Sequence, residues 1–437
     1  HGGYLDYLYD ADPAVVRSRL RPQPLSRLLA ELDQQIASPA MRGRAIHRLA
    51  LVAHFIKRPW SHEPRHRAGP YRHHGLDMSL RKTAGVLLVA LARWPRLQTW
   101  VRGIDAAANE LDAPPEVFAP IFRVCLRAGL SRRTYHVGED FRHLLCGIGN
   151  IRDALHLLDL CDGDRIGHGT AMGIAPKLWL ERMPRTLYLP RGEWMLALLS
   201  AWQMLRGMAE TQHEAAVVLH ELETVALTIF GRVVTARELE AAMALRGLDR
   251  RAILRQLESL PGGPPSSFND AWREEAERVR TAWENNRESL RLLWTWLSDP
   301  DVQARTESLI ETPAAFLTAE VYLRLQQALM REVAERGVLV ETLPSSNVRI
   351  SQYQHVGEHH ALRWMRVPDH VQDGDPEIMV CLGSDDPGIF AADLESEFHL
   401  LYAALRKCGL DDSDALLRLG RLNERGRTYR FHHPMVS

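Results

Sequence analysis

The chain has 437 residues, of which 46% are apolar and 25% charged, as in an ordinary globular protein. Its length predicts a large domain with an insertion, or two domains. A net charge of −1 argues against nucleic-acid binding by the surface as a whole. Five cysteines without a C-x-x-C pair indicate neither a disulfide framework nor a thiolate zinc site, so we expect a reducing, cytoplasmic location. Because no run of eighteen apolar residues occurs, we expect no membrane span.

Residues 46–172 alternate short apolar runs with amphipathic segments, after an N-terminal helical or irregular segment at 1–45. The predicted strands are Leu49–Lys57, a strand ending at Asp105, Thr134–His136 and Asp164–His168, and the predicted helices are Ser79–Ala92, Glu116–Ala128 and Ile151–Leu160. This alternation of strand and helix is typical of parallel sheets and barrels. We therefore assign residues 46–172 to the first part of a barrel.

The alternation stops after residue 172, and residues 173–335 are predicted to be an all-helical insertion. Its predicted helices are Trp194–Phe230, Ala236–Leu245, Arg250–Leu260 and Phe268–Leu297. Strand patterns return at Gly337–Glu341 and Glu377–Gly383, and Leu394–Leu422 is predicted to be helical. Residues 336–437 therefore form the last part of the barrel and its C-terminal helices, as expected when helices are inserted into a barrel loop.

Four polar motifs follow four of the predicted strands, where barrel enzymes carry their catalytic groups. They are His136-Val137-Gly138-Glu139, Arg165-Ile166-Gly167-His168-Gly169, the segment Glu341–Asn347 (ETLPSSN), and Ser384-Asp385-Asp386-Pro387. Imidazole and carboxylate groups bind Zn²⁺, and a carboxylic acid transfers protons, so these residue types suit hydrolysis at a metal ion. Each motif alone is weak evidence, since a single histidine is more often structural and Asp-Asp-Pro is usually a turn. The prediction depends on all four occurring in order, each after a strand.

The order H-x-G-E, R-I-G-H-G, E-x-x-P-x-S-N and D-D-P resembles that of the adenosine deaminase family. Residues 103–110 (GIDAAANE) are similar to the G-x-D-L-A-G-x-E strand of that family, and residues 419–423 (LGRLN) are similar to its closing helix. The resemblance covers roughly residues 46–172 and 336–437. It implies a (β/α)₈ TIM barrel of the metal-dependent hydrolase type, interrupted by the helical insertion.

The resemblance also implies roles for individual residues in a zinc-dependent deamination. His136 and Asp385 would be zinc ligands, and Asp385 would also accept a hydrogen bond from the attacking water. Glu139 would shuttle protons to the purine ring nitrogen N1 and to the leaving amine, which calls for a pKa raised by burial. His168 would orient the metal-bound hydroxide and stabilise the developing alkoxide.

Two further positions concern the substrate, which the resemblance implies is an adenine nucleoside or nucleotide. Asp386 would bind purine N7. Ala108 stands where the family usually has a glycine whose backbone N–H meets purine N3. The additional methyl group leaves that N–H in place but reduces the space for the base, so this departure concerns the identity of the substrate rather than the chemistry.

One part of the family pattern is missing. The first strand of the family carries an H-x-H pair that supplies two more zinc ligands, and this chain contains no H-x-H. The first two barrel strands should precede residue 40, yet residues 1–40 are predicted to be helix and turn, so the first strands are absent. The adjacent pairs His73-His74, His359-His360 and His432-His433 suit exposed faces better than a metal site. Either the chain lacks an N-terminal portion, or it is a degenerate barrel that cannot hold zinc.

Three hypotheses about function remain. The first is an active deaminase. The basic stretch Arg42–Arg72 contains eight Lys or Arg and one acid. It is either a contact for a phosphate or an acidic partner, or a solvated face. The insertion and the HFIKR strand are also similar to the large deaminase component of bacterial RADAR antiphage systems, which implies a homo-oligomer, and a large assembly with a partner protein. The second is a catalytically inactive deaminase-fold protein that binds nucleotides or forms a shell. The third is another amidohydrolase reaction on the same barrel.

Overall fold

The protein is built around a parallel sheet of six strands. The computed structural model describes residues 51–60, 69–258 and 269–431 and four positions between 27 and 34. Its strands are β1 Leu51–Ile56, β2 Val101–Ala107, β3 Arg132–Val137, β4 Arg165–His168, β7 Leu339–Thr342 and β8 Val380–Leu382. They lie side by side in the order β1-β2-β3-β4-β7-β8, and every neighbouring pair is parallel. The predicted α/β class is therefore confirmed. The predicted segment 1–45 lies outside the described residues, apart from those four positions.

Helices lie between consecutive strands of the sheet and follow its last strand. In the first part of the chain they are α1 His74–Arg93, α2 Ala119–Arg127, α3 Leu144–Leu157, α4 Thr170–Gly173 and α5 Pro176–Arg182. In the last part they are α13 Ala319–Glu335, α14 Pro344–Ile350, α15 His360–Trp364, α16 Pro387–Phe390, α17 Leu394–Lys407 and α18 Asp412–Thr428. Short 3₁₀ turns occur at Pro95–Thr99, Glu110–Asp112, Pro115–Val117, Ala209–Thr211 and Val356–Glu358.

The two faces of the sheet carry different side chains, because successive residues of a strand point to opposite faces. On β3, the ring of Tyr135 packs edge-on against Phe118 and Phe122, with centroids 6.0 and 6.1 Å away. The next residue, His136, is on the opposite face, where its Nδ1 atom lies 2.8 Å from Oδ2 of Asp105 on β2. One face of the sheet therefore packs against helices through apolar side chains, and the other face carries titratable side chains.

The segment between β4 and β7 contains two strands, so the prediction of an all-helical insertion is wrong. Strand β5 (Thr186–Pro190) pairs antiparallel with β6 (Leu309–Pro313) in a separate ribbon. Leu187 and Leu189 are buried while Tyr188 between them is exposed, which is the two-residue period of a strand. Between the two strands lie α6 Arg191–Leu205, α7 Gln212–Phe230, α8 Ala236–Met243, α9 Arg250–Leu257, α10 Asn269–Asn285, α11 Arg287–Ser298 and α12 Pro300–Glu307.

Buried ion pairs attach this helical segment to the helices of the sheet. Arg123 and Arg127 of α2 both bind the carboxylate of Glu275 on α10, with the closest N–O distances 2.6 and 2.7 Å. The Glu275 side chain is fully buried, and a buried carboxylate is tolerated only when it is paired. No helix in the described ranges is both long and apolar enough to cross a membrane.

Candidate functional site

Four of the six predicted site residues meet at the carboxyl ends of β3, β4 and β8. His168 is the last residue of β4, and its Nε2 atom lies 3.0 Å from Oε2 of Glu139 and 3.8 Å from Oδ2 of Asp385. The ring of His136, near the end of β3, lies 5.3 Å from the ring of His168. In a parallel sheet the carboxyl ends of the strands share one edge, and this register (His136 beside Gly167, Val137 beside His168) brings the side chains together.

The turn after β3 positions Glu139. Gly138 has a φ of 77°, which favours glycine, and the backbone N–H groups of Glu139 and Asp140 then donate to Oε2 of Glu110 at 3.0 and 3.3 Å. The buried Lys57 donates from Nζ to the carbonyl oxygen of His136 at 2.6 Å. Glu110 and Lys57 thus hold the two ends of the H-V-G-E motif.

Burial shifts the pKa of both supporting groups. It raises the pKa of Glu110 from 4.5 to about 7, even though the charge of Lys57 opposes the shift. It lowers the pKa of Lys57, against the attraction of Glu110 and Glu139. Lys57 belongs to the basic stretch Arg42–Arg72, so at least one of those eight charges lies inside the protein rather than on a solvated face.

His136 is held by a carboxylate. Its Nδ1 atom lies 2.8 Å from Oδ2 of the buried Asp105, and Nδ1 of the more exposed His54 lies 3.7 Å from the same oxygen. Burial lowers the pKa of His136, but the charge of Asp105, the contact with it and the charge of Glu139 together outweigh burial and raise it to about 9. Burial likewise raises the pKa of Asp105, but the charge of His136, the contact with it and the charges of His54 and Lys57 together outweigh burial, so this pKa is lowered. The pair keeps His136 oriented with Nε2 as the nitrogen left for a ligand.

Glu139 does not have the raised pKa that its predicted role calls for. Burial raises the pKa, but the contact with Nε2 of His168, together with His136 and Lys57, outweighs burial and brings it to about 2. The prediction considered burial alone, whereas the site places an imidazole against the carboxylate. In this arrangement Glu139 is a carboxylate that can accept a proton.

His168 is held on its other side by Asn347 of α14. The Nδ1 atom of His168 lies 2.8 Å from Nδ2 of Asn347, whose Oδ1 lies 3.1 Å from Nε2 of His359. His168 has a φ of 66°, a left-handed backbone that costs about 1–2 kcal/mol in a residue other than glycine. All three side chains are buried.

The expectation that the adjacent histidine pairs lie on exposed faces is wrong where the structure describes them in full. His359 and His360 are both buried, as is His73, while His432-His433 lies outside the described residues. His359 precedes a helix rather than occupying a strand, so the opposite-face argument does not apply to it. Nδ1 of His359 accepts a hydrogen bond from the backbone N–H of Ala361 at 3.0 Å.

The two residues predicted to bind substrate are both exposed. Asp386 is exposed, and its Oδ1 accepts from the backbone N–H of Gly388 at 2.7 Å, capping α16. Its own backbone N–H donates to Oδ1 of Asp385 at 2.7 Å. Ala108 follows β2, is exposed, and has a φ of 80°. Within the described ranges no hydrogen bond or ion pair joins the Ala108 backbone or the Asp386 side chain to His168 or Glu139.

The donor types at this edge fit zinc, but their number does not complete a site. His136 is backed by a carboxylate, as metal-bound histidines usually are, and Asp385 supplies a carboxylate. A catalytic zinc takes three protein ligands, and among the described residues no group of three or more His, Cys, Asp or Glu could hold a metal ion. Both carboxylate oxygens of Asp105 are buried without a hydrogen-bond partner among the described residues, so Asp105 contacts His136 as an ion pair.

No protein-family model matches the chain, and no curated protein matches it.

Proposed function

We propose that this protein is a hydrolase that converts an adenine nucleoside or nucleotide to its inosine form, with zinc as its cofactor. The observation that carries the proposal is the contact of His168 with both Glu139 and Asp385, 5.3 Å from the ring of His136. Three motifs, with His168 29 residues after Glu139 and 217 residues before Asp385, thereby present an imidazole, a proton-transfer carboxylate and two metal-type donors at one sheet edge. Hydrolysis of an aromatic C–N bond needs such a set, because the attacking water must be deprotonated and the leaving amine protonated.

Each side chain then has a task in the reaction. A bound zinc ion would lower the pKa of a water molecule to about 7 and so provide hydroxide at neutral pH. Glu139, a carboxylate in this site, would accept one proton of the attacking water and deliver it to the ring nitrogen N1, which keeps it in the inosine form. It would then accept the remaining proton of the attacking oxygen and deliver it to the amine, which leaves as ammonia. His168 would hydrogen-bond the oxygen that attacks C6. His136 and Asp385 would hold the metal, with Asp105 fixing the orientation of His136.

We further propose that the six parallel strands are part of a TIM barrel. Their order in the sheet is their order in the chain, with helices between them, which is the arrangement of consecutive barrel strands. The left-handed φ of 80° at Ala108 also supports the resemblance, because it is a glycine-type backbone at the position where the family has glycine. The backbone N–H of Ala108 would bind purine N3, and Asp386 would bind purine N7.

The substrate, the assembly and the biological setting are separate proposals. Whether the substrate carries a phosphate is decided by comparing adenosine with AMP and ATP, since phosphate-binding residues would favour the nucleotides. A homo-oligomer, or a large assembly with a partner protein in antiphage defence, is proposed from the family resemblance alone. Native mass measurement of the purified protein tests the assembly.

The deaminase proposal is tested by supplying the whole protein with zinc and each adenine compound, and following conversion to the inosine form by ultraviolet absorbance. We expect turnover of at least one compound and about one bound zinc per chain. Glu139→Gln should reduce turnover by about 100-fold or more, because it removes the proton-transfer group, and should leave zinc bound, because Glu139 is not a proposed ligand.

A matched control is Glu320→Gln, on the exposed surface of α13, which should keep full turnover. Wild-type turnover in Glu139→Gln would show that Glu139 is not the proton shuttle. If the whole protein binds no zinc and converts none of the compounds, the enzyme proposal fails and the catalytically inactive, nucleotide-binding or shell-forming alternative takes its place.

A further inference from the structure

A line of buried polar side chains runs from the candidate site to the start of α15. It begins at Glu139, whose Oε2 is 3.0 Å from Nε2 of His168, and passes through Asn347, whose Nδ2 is 2.8 Å from Nδ1 of His168. It continues from Oδ1 of Asn347 to Nε2 of His359, 3.1 Å away, and ends at the backbone N–H of Ala361. His168, Asn347 and His359 are at most 1% exposed, so water does not replace these partners.

The backbone fixes the position of the proton on His359. Nδ1 of His359 accepts the hydrogen bond from the N–H of Ala361, and a backbone N–H cannot act as an acceptor. Nδ1 is therefore unprotonated. Burial lowers the pKa of His359 to about 3, so the ring is neutral at physiological pH. A neutral imidazole carries one proton, and here that proton is on Nε2.

The protonated Nε2 of His359 then fixes the orientation of the Asn347 amide. Nε2–H donates to the amide oxygen, Oδ1, at 3.1 Å. The reverse orientation would place the NH₂ group of Asn347 against Nε2–H, two buried donors facing each other, which costs the desolvation of both. The NH₂ group of Asn347 therefore faces His168 and donates to its Nδ1.

We infer that Asn347 and His359 are positioning residues that hold His168 as the tautomer with its proton on Nε2. With Nδ1 occupied as an acceptor, the hydrogen of His168 points from Nε2 towards Glu139 and Asp385. His168 is thus a hydrogen-bond donor to whatever oxygen occupies the site. The consequence for turnover rests on the proposed deaminase function, whereas the tautomer itself does not.

The direction of this hydrogen bond decides what His168 can do. As a donor it stabilises an oxygen that gains negative charge, which is the task proposed for it. With the proton on Nδ1 instead, Nε2 would be a lone pair facing the carboxylates of Glu139 and Asp385, and the ring would repel a negatively charged oxygen. A change of tautomer with unchanged geometry costs a histidine-dependent hydrolase several orders of magnitude in turnover.

The tautomer is measured directly by two-bond ¹H–¹⁵N correlation spectra of the whole protein labelled on histidine nitrogen, which distinguish a protonated from a bare ring nitrogen. The signal of His168 is assigned by its loss in His168→Gln. We expect wild-type His168 to have a protonated Nε2 and a bare Nδ1. A protonated Nδ1 in the wild-type protein would overturn the inference, and this spectrum decides the matter without any variant of Asn347.

Asn347→Asp is the variant that reverses the effect with almost no change in shape. A carboxylate only accepts hydrogen bonds, so it should draw a proton onto Nδ1 of His168 while still accepting from Nε2 of His359. We expect a protonated Nδ1 in this variant and, with the deaminase substrate, a changed pH dependence of turnover, because the added carboxylate favours the doubly protonated imidazolium. Asn285→Asp, an exposed position in the insertion, is the matched control and should change neither.

The two hypotheses fail in different ways. A wild-type protein with the expected tautomer but no turnover contradicts the proposed function and leaves the inference standing. Turnover by a wild-type protein whose His168 carries its proton on Nδ1 would contradict the inference and leave the proposed function standing. A folded Asn347→Asp protein in which Nδ1 of His168 stays bare would contradict the inference, because the amide would then not be what holds the tautomer.

Discussion

Replacing Glu110 by glutamine is expected to stabilise the protein much more at pH 8 than at pH 5. Burial raises the pKa of Glu110 from 4.5 to about 7, which corresponds to about 3 kcal/mol of free energy. The folded state therefore binds this proton more tightly than the unfolded chain. Ionisation of Glu110 lowers the free energy of unfolding as the pH rises from 4.5 to about 7, and the loss is complete above that range. Glutamine keeps an acceptor for the N–H groups of Glu139 and Asp140 but cannot ionise.

The assay is urea unfolding followed by tryptophan fluorescence, with the variant and the wild-type protein compared at each pH. Glu110 is already partly destabilising in the wild-type protein at pH 5. The increase in the free energy of unfolding from wild type to Glu110→Gln should therefore be larger at pH 8 than at pH 5 by about 2–3 kcal/mol. Glu320→Gln, at an exposed position, should show no such pH dependence. An equal effect of Glu110→Gln at both pH values would refute the reasoning, since the Glu110 carboxyl group would then not retain its proton more tightly in the folded state.

Two substitutions test the left-handed backbone at the site. Ala108→Gly should raise the free energy of unfolding by about 1 kcal/mol, because glycine adopts the φ of 80° without strain, and an unchanged or lower melting temperature would contradict this. Gly138→Ala should lower it by about 2–4 kcal/mol, because a Cβ atom there has an unfavourable φ and overlaps Cδ1 of the buried Ile151. The control is Gly420→Ala, in a helix with open space around the new methyl group, which should not destabilise; equal melting temperatures of the two alanine variants would contradict the steric argument.

The strands of the sheet could be predicted because each is short and is followed by polar residues. Leu49–Lys57 and Asp164–His168 differ from the observed β1 and β4 by only one or two residues at an end. Helix starts were less predictable, because side-chain caps determine them. The predicted helix at Ile151 begins at Leu144, where the ring of His143 accepts a hydrogen bond from the N–H of Leu145. No residue preferred at helix starts marks that position in the sequence.

The insertion was predicted less well than the sheet, for two physical reasons. Its strands β5 and β6 are separated by 118 residues, so each is indicated only by a weak alternation of apolar and polar residues over five positions. Its long helical patterns also conceal breaks, because apolar periodicity continues across a turn when both helices pack on the same core. The predicted helix Trp194–Phe230 is in fact α6 and α7, separated by a turn that begins near Gly207.

The sequence predicted the residues of the candidate site but not the contacts that determine their protonation. His136 and His168 lie at the ends of their strands and Glu139 and Asp385 just after theirs, and in a parallel sheet this position alone brings them to one edge. Their protonation depends instead on contacts that no spacing reveals. His359 comes from another helix start, 191 residues after His168, and a histidine pair there looks no different from an exposed one.

Lys57 and Glu139 show why charge has to be assigned from neighbours rather than from composition. Lys57 belongs to a run of eight basic residues, which suggests a surface, yet it is buried with its Nζ atom on the carbonyl oxygen of His136. Glu139 is in a setting where burial alone would make it an acid, yet the imidazole 3.0 Å away makes it a carboxylate. For Glu139 the neighbouring groups together outweigh burial, because Coulomb energies are large at short distance in a buried site, whereas for Lys57 burial outweighs the nearby carboxylates and lowers the pKa. The order in which Glu139 accepts and donates its proton therefore follows from its contact with His168, and the direction of that contact follows from Asn347 and His359.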